Sequence, residues 1–113
     1  MGQIPELAVR RLKRFCGDRV PEHVLDKIRI ELTARGSSLT IWECRPPWRP
    51  DAGSEWTRQK IAQLRYDAEH LTWTVFWADR NGKWLKYPGL PPTANLDRVI
   101  EELDSDPHAC FWG

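Results

Sequence analysis

The sequence has no apolar run approaching the ~20 residues that a membrane span requires. Its N-terminus also lacks an apolar h-region followed by a small-residue cleavage site. Both absences point to a cytoplasmic protein with no membrane partner. No C-x-x-C pair occurs and the three cysteines are odd in number, so Cys16, Cys44 and Cys110 are expected as reduced thiols rather than a disulfide framework. A dominant charge is missing too: 17 Lys+Arg stand against 16 Asp+Glu, a formal net charge of +1. No overall field therefore draws the chain towards nucleic acid or anionic lipid. The Gly-x-x-x-x-Gly-Lys loop that cradles phosphates is absent, Gly36-Ser37-Ser38 reading as a turn. No nucleophile elbow or other recognised Ser, Cys or His motif appears. A hydrolytic triad is disfavoured on that ground, and no cofactor is expected. Internal repeats and low-complexity segments are lacking as well.

What is present is tryptophan. Seven of them, Trp42, Trp48, Trp56, Trp73, Trp77, Trp84 and Trp112, occur in 113 residues, and each needs burial or a wet edge with a partner. A chain of this length is expected to form one domain, 1–113, around one core. Charge is unevenly spread along it. Arg10, Arg11, Lys13, Arg14 and Arg19 outnumber Glu6 and Asp18 near the start, whereas Arg98 stands among Asp97, Glu101, Glu102, Asp104 and Asp106 near the end.

Periodicity predicts an α+β fold: an N-terminal helix, a five-stranded antiparallel meander sheet with a Pro-rich loop between strands 2 and 3, and a C-terminal acidic helix. Pro5-Glu6 opens a helix whose Ile4, Ala8, Leu12 and Phe15 recur at helical spacing until about Gly17. Asp18 and Pro21 open a further short turn through Val24 and Leu25. Ile28, Ile30 and Leu32 then alternate with polar residues as a strand, although Val24, Ile28 and Leu32 also permit a helix over 22–33. A turn at Arg35-Gly36-Ser37-Ser38 returns the chain through Leu39 and Ile41, with Trp42 lying across this first hairpin. Residues 46–55 form a stiff surface loop, because Pro46, Pro47 and Pro50 cannot donate to a sheet.

Three more strands are predicted over 61–67, 71–78 and 83–87. Turns at Ala68-Glu69 and Asn81-Gly82, each of two residues, set Leu64 against Trp73, Ala62 against Val75, and Trp77 against Lys86. One face then collects Ala62, Leu64, Tyr66, Leu71, Trp73, Val75, Trp77 and Trp84 as core. The other collects Gln63, Arg65, Thr72, Thr74, Phe76, Arg80, Lys83, Leu85 and Tyr87. Asn95 caps a helix through Leu96, Val99, Ile100 and Leu103, stopped by Asp106-Pro107. The aromatic tail with Phe111 and Trp112 is expected to fold back on the sheet or the first helix.

Several strings in order carry a family likeness: Glu43-Cys44-Arg45-Pro46-Pro47-Trp48, Trp56-Thr57-Arg58, Arg65-Tyr66, Trp73 and Trp77, Asp79-Arg80-Asn81-Gly82-Lys83-Trp84 with Tyr87, and Phe111-Trp112-Gly113. From roughly residue 28 to the C-terminus the chain resembles a family of small bacterial proteins known as domain of unknown function 3024. That resemblance implies no activity.

The predicted polar face is the leading candidate site. Single-stranded RNA or DNA is bound by aromatic platforms for bases and cations along the backbone. Phe76 and Tyr87 would be the platforms, with Arg65, Arg80 and Lys83 as cations; Arg58, outside the predicted strands, is a further binding candidate. The string Arg45 to Arg49 offers a hook in which Trp48 stacks while Arg45 and Arg49 take carboxylate or phosphate. The plainer readings are a helix covering that face, and Arg45 paired to Glu43 or Asp79. Arg10, Arg11, Lys13 and Arg14 read most simply as a solvated helix face. An alternative to a non-enzymatic binding module is a small metal-independent ribonuclease of the toxin kind, with Arg65, Arg80, Lys83, Tyr87 and Glu43. Another is a protein-interaction domain or homodimer working through Trp48 and the acidic helix. For a metal, Cys44, His108 and Cys110, with Cys16 or His23, offer scattered ligands. Zinc sites mostly use tight knuckles, so buried thiols are the expectation.

Overall fold

A proline at the start of a helix has no N–H to leave unsatisfied, and the Pro5 carbonyl accepts from the amides of Ala8 and Val9 (3.0 and 3.2 Å). Helix α1 follows over Glu6–Asp18 in the computed structural model, which describes residues 3–47, 49, 51, 53 and 55–113. Its buried stripe is Ala8, Leu12 and Cys16, with Ile4, Val9 and Phe15 packed beside it. A 3-10 turn at Glu22–Val24 leads into the sheet. Strands β1 (Arg29–Arg35), β2 (Ser38–Arg45), β3 (Thr57–Asp67), β4 (Thr72–Ala78) and β5 (Trp84–Lys86) pair antiparallel in sequence order. Helix α2 (Leu96–Ser105) completes the α+β order. The helical option for 22–33 fails because Arg29 to Arg35 pair with β2 over their whole length. β3 begins at Thr57, earlier than the predicted 61. No helix among the described residues is long and apolar enough to cross a membrane.

Loop lengths decide which side chains share a face, since a slip of one residue moves every side chain across the sheet and a slip of two moves none. The first hairpin turns at Arg35-Gly36-Ser37-Ser38 as predicted, with Arg35 opposite Ser38. The β3–β4 connection spans 68–71 rather than Ala68-Glu69 alone, so Leu64 faces Val75 and Ala62 faces Trp77. Its wider turn is organised by Asp67, whose Oδ1 accepts the amides of Glu69 (3.0 Å) and His70 (3.3 Å). This register differs by two from the expected one, and Ala62, Leu64, Tyr66, Trp73, Val75 and Trp77 keep their face. Leu71 does not: it sits in the turn at φ 56 and is 61 % exposed.

The last hairpin overturns its predicted register. Asn81-Gly82 does not form a two-residue turn; Asp79 and Lys83 enclose Arg80, Asn81 and Gly82. The Asp79 N–H donates to the Lys83 carbonyl (3.0 Å) and the Gly82 N–H to the Asp79 carbonyl (2.9 Å), with Gly82 left-handed at φ 77. The Asp79 carboxylate also accepts from the amides of Asn81 (2.8 Å) and Lys83 (2.9 Å), which favours a type I turn closed by a left-handed residue. Trp77 therefore faces Leu85, and Ala78 faces Trp84. Trp84 leaves the expected core face, while Leu85 and Tyr87 cross onto it.

Leu39, Ile41, Ala62, Leu64, Trp73 and Val75 supply the sheet's half of the core, and Leu12, Val99 and Leu103 bring the helices onto it. A bulge opposite Ile41/Trp42 lets Ile61 and Ala62 both be buried. Tyr87 is 2 % exposed, donates its hydroxyl to Glu102 of α2 (2.6 Å) and packs on Phe111 (5.0 Å between centroids). The tail folds back as expected. Its chain reverses at Asp106, left-handed at φ 43, whose carboxylate accepts from the amides of Cys110, Phe111 and Trp112. Trp112 donates Nε1–H to the Leu103 carbonyl (2.7 Å) beneath the guanidinium of Arg19 (3.9 Å). Asn95 caps α2 through the Asp97 amide (3.0 Å). Arg11 pairs with Asp97 and Arg19 with Asp104 (3.1 Å), so part of the basic charge of α1 is taken up by acidic α2.

Candidate nucleic-acid interface

Both helices and the tail pack on one face of the sheet, and no described helix covers the opposite, open face. Alternation places Arg29, Glu31, Thr33 and Arg35 of β1 beside Thr40, Trp42 and Cys44 of β2. Arg58 and Lys60 of β3 oppose Cys44 and Trp42; past the bulge, Gln63 and Arg65 oppose Thr40 and Ser38. β4 and β5 add Thr74, Phe76, Trp84 and Lys86. The plainer reading, a helix covering Phe76, Leu85 and Tyr87, holds for Tyr87, which lies in the core beside Glu102 of α2, and fails for Phe76, which lies on the opposite face. Cations dominate this surface: Arg29, Arg35, Arg58, Lys60, Arg65 and Lys86 against Glu31 and Asp67.

Rings and cations are interleaved. The Arg65 guanidinium lies 3.8 Å from the centroid of Phe76 and is steered by Nε–H donation to Gln63 (2.8 Å), whose amide donates to Thr40 (3.1 Å). Arg58 stands 5.6 Å from the Trp42 ring and 3.2 Å from Glu31. Trp42 is itself held by an Nε1–H bond to Thr33 across the first hairpin (2.8 Å). Lys60 lies 5.3 Å from the Trp84 ring, and Arg29 lies 4.1 Å from that of Trp56. Such contacts contribute about 0.5–1 kcal/mol each where solvent reaches them. Arg35, Arg80, Lys83 and Lys86 have no ion-pair partner among the described residues. Two hollows mark the surface, one of about 370 Å³ at the β4–β5 hairpin and one of about 260 Å³ beside Phe76. Under Arg58, the Cys44 thiol is pushed up by burial and by its bond to Glu31 (3.4 Å).

The fold brings Arg58, Arg65 and Phe76 of the predicted set onto this face. Arg80 lines the hairpin hollow and Lys83 stands exposed at the base of the turn. Tyr87 does not join them. It is buried against α2 on the other side, where burial and the Glu102 carboxylate push its phenol far above its ordinary value. Glu43 and Arg45 alternate with Leu39 and Ile41 on the helix side and pair with each other at 3.2 Å, the plainer of the two readings of Arg45. Arg49 approaches Asp51 (3.7 Å), and Trp48 lies outside the described residues. The ribonuclease set is thus divided between two faces. The metal set is divided too, because Cys44 is on the open face whereas His108 and Cys110 belong to the tail on the other. Among the described residues the one trio with metal-binding geometry is Asp67, Glu69 and His70, all exposed; His70 at 2.7 Å holds the Asp67 carboxyl below its ordinary value.

Trp42, Trp84, Lys60, Arg29, Arg35 and Lys86 were not in the predicted set. For Trp42 the signal was present in the alternation of β2. For Trp84 and Lys86 it was hidden in the length of one turn.

An α+β protein with one sheet face roofed by two helices and the other basic, aromatic and uncovered by any described helix is the class this geometry defines. The chain belongs to the family described as Domain of unknown function (DUF3024), whose model matches residues 2–113, well beyond the stretch that carried the likeness. Comparison with curated proteins and with solved structures finds no match.

Proposed function

We propose that the protein is a binding module for single-stranded nucleic acid, laying an RNA or DNA strand across the open face of its sheet. One observation carries this reading: on that face Arg65 stacks on Phe76, with Arg58 beside Trp42 and Lys60 beside Trp84. Sequence-tolerant binding of a single strand requires π-surfaces for bases and cations for phosphates within reach of one another. A guanidinium lying on a ring keeps its outer plane free, and that plane is itself a stacking surface for a base. The division of Glu43 and Tyr87 from Arg65 and Arg80 supports binding over catalysis.

Filter binding of labelled single-stranded RNA and DNA at low and moderate salt tests the proposal. Retention is expected at low salt and weaker retention at moderate salt. A folded Arg65→Ala/Phe76→Ala variant is expected to bind at least about tenfold more weakly, since one stacked base contributes roughly 1–3 kcal/mol. Absence of retention for both polymers at low salt overturns the reading.

A further inference from the structure

We propose, resting on that reading of the open face, that the hollow beside the β4–β5 hairpin is a subsite that selects guanine. It exists because β3 outruns β4. The last β3–β4 pair is Ala62 with Trp77, and beyond it the chain turns away through Asp79 to Gly82 while β3 continues back to Thr57 along β2. The gap, about 370 Å³, has Trp42, Arg58, Lys60, Asp79 and Arg80 among its walls. Lys60 bridges it by donating to the Gly82 carbonyl (2.7 Å).

Asp79 is the residue that a phosphate-binding groove does not explain. Its Oδ1 accepts both turn amides, from Asn81 and Lys83. No described residue donates to its Oδ2. A carboxylate oxygen repels phosphate and accepts only from N–H or O–H donors. Among the four bases, guanine alone presents two neighbouring donors, N1–H and the N2 amine, on its Watson–Crick edge. Uracil flanks its single N–H with two carbonyl oxygens that a carboxylate repels. Adenine and cytosine set one amine beside a ring nitrogen lone pair. A guanine stacked on Trp42 would turn its donor edge to Asp79, leaving Arg58 and Arg80 for the adjoining phosphates. Such edge reading of an unpaired, stacked base is the usual route to sequence preference in single strands.

The test is the ratio of affinities for hexauridylate and for the same hexamer carrying one internal guanosine, measured at low salt by fluorescence anisotropy. The intact protein is expected to prefer the guanosine hexamer about tenfold, the lower part of the range for one well-made base contact. Inosine, which lacks the N2 amine, is expected to lose most of that preference, and 7-deazaguanosine, which keeps the Watson–Crick edge, to retain it. Asp79→Asn keeps an oxygen for the two turn amides but replaces Oδ2 with a donor, and its ratio is expected to fall to about one. Binding of hexauridylate with no guanosine preference overturns the subsite and leaves the strand-binding reading standing. Failure to bind either hexamer overturns both. A preference that survives in D79N, or that inosine satisfies as well as guanosine, overturns the role given to Asp79.

Discussion

Tyr87 and Cys16 are buried on the helix side of the sheet, and both hold their protons more tightly in the fold than in the unfolded chain. Burial pushes the Cys16 thiol from 9.0 up to about 11. Burial, and after it the bond to Glu102, pushes the Tyr87 phenol up as well. A raised value means that the neutral form is favoured by folding. For Cys16 the associated stability is therefore fully present below pH 9 and is lost as pH climbs from there through about 11, whereas for Tyr87 the loss begins only above pH 10. For Cys16 the loss amounts to about 2–3 kcal/mol. The urea midpoint is thus expected to be level from pH 7 to about 8.5, then to fall towards pH 11, and to fall less steeply in Cys16→Ala. A midpoint that stays level to pH 11 would contradict the burial of these two groups. Both residues show how a side chain's chemistry is set by its surroundings. As letters, Tyr87 looked like an aromatic platform and Cys16 like a spare metal ligand.

At the scale of elements, the connection from β5 to α2 holds the core closed. Tyr87 bonds to the Val75 carbonyl through its amide (2.9 Å), and Thr93 exchanges two backbone bonds with Trp73 (2.7 and 3.0 Å), so this segment extends the edge of β4. Between them Gly89 passes directly beside the Tyr87 ring: a Cβ there would meet Cζ and the hydroxyl oxygen at 2.5 Å. Gly89→Ala is expected to push the ring away from Glu102 and to cost about 1–3 kcal/mol, read from urea denaturation and from the near-UV tyrosine signal. An unchanged midpoint would mean that the ring swings aside freely. The elements themselves were legible in the sequence. Hydrophobic spacing marks α1 and α2, Asn95 marks the start of α2, and alternation marks β1 and β2. The β4–β5 register was not legible, because Asn-Gly serves a two-residue and a three-residue turn alike, and the Asp79 carboxylate selects the latter. That single choice moved Trp84 onto the candidate site and Tyr87 off it.

Across the whole molecule, charge is sorted by face although the net charge is only +1. Acidic α2 and the pairs that tie it to α1 lie on one side, and the basic sheet face lies on the other. Counterion release then governs binding. The affinity for a single strand is expected to fall linearly on a log–log salt plot, and each phosphate contact removed is expected to lower the slope by about 0.7. Arg58→Ala and Arg65→Ala are each expected to show that decrement in a salt titration. Lys13→Ala/Arg14→Ala, on the outer side of α1, is expected to leave the slope unchanged, and a lowered slope there would move the footprint off the sheet. The sequence by itself determined the α+β order, the five strands, the two helices and a tail anchored by Trp112, because periodicity, caps and turn residues act over a few neighbours. Which face the helices cover, which tryptophans meet solvent and which cations gather were decided only in the tertiary structure. Those outcomes depend on loop lengths, a bulge and cross-chain partners such as Glu102 for Tyr87, and a one-residue change in any register exchanges the inside of a sheet for its outside.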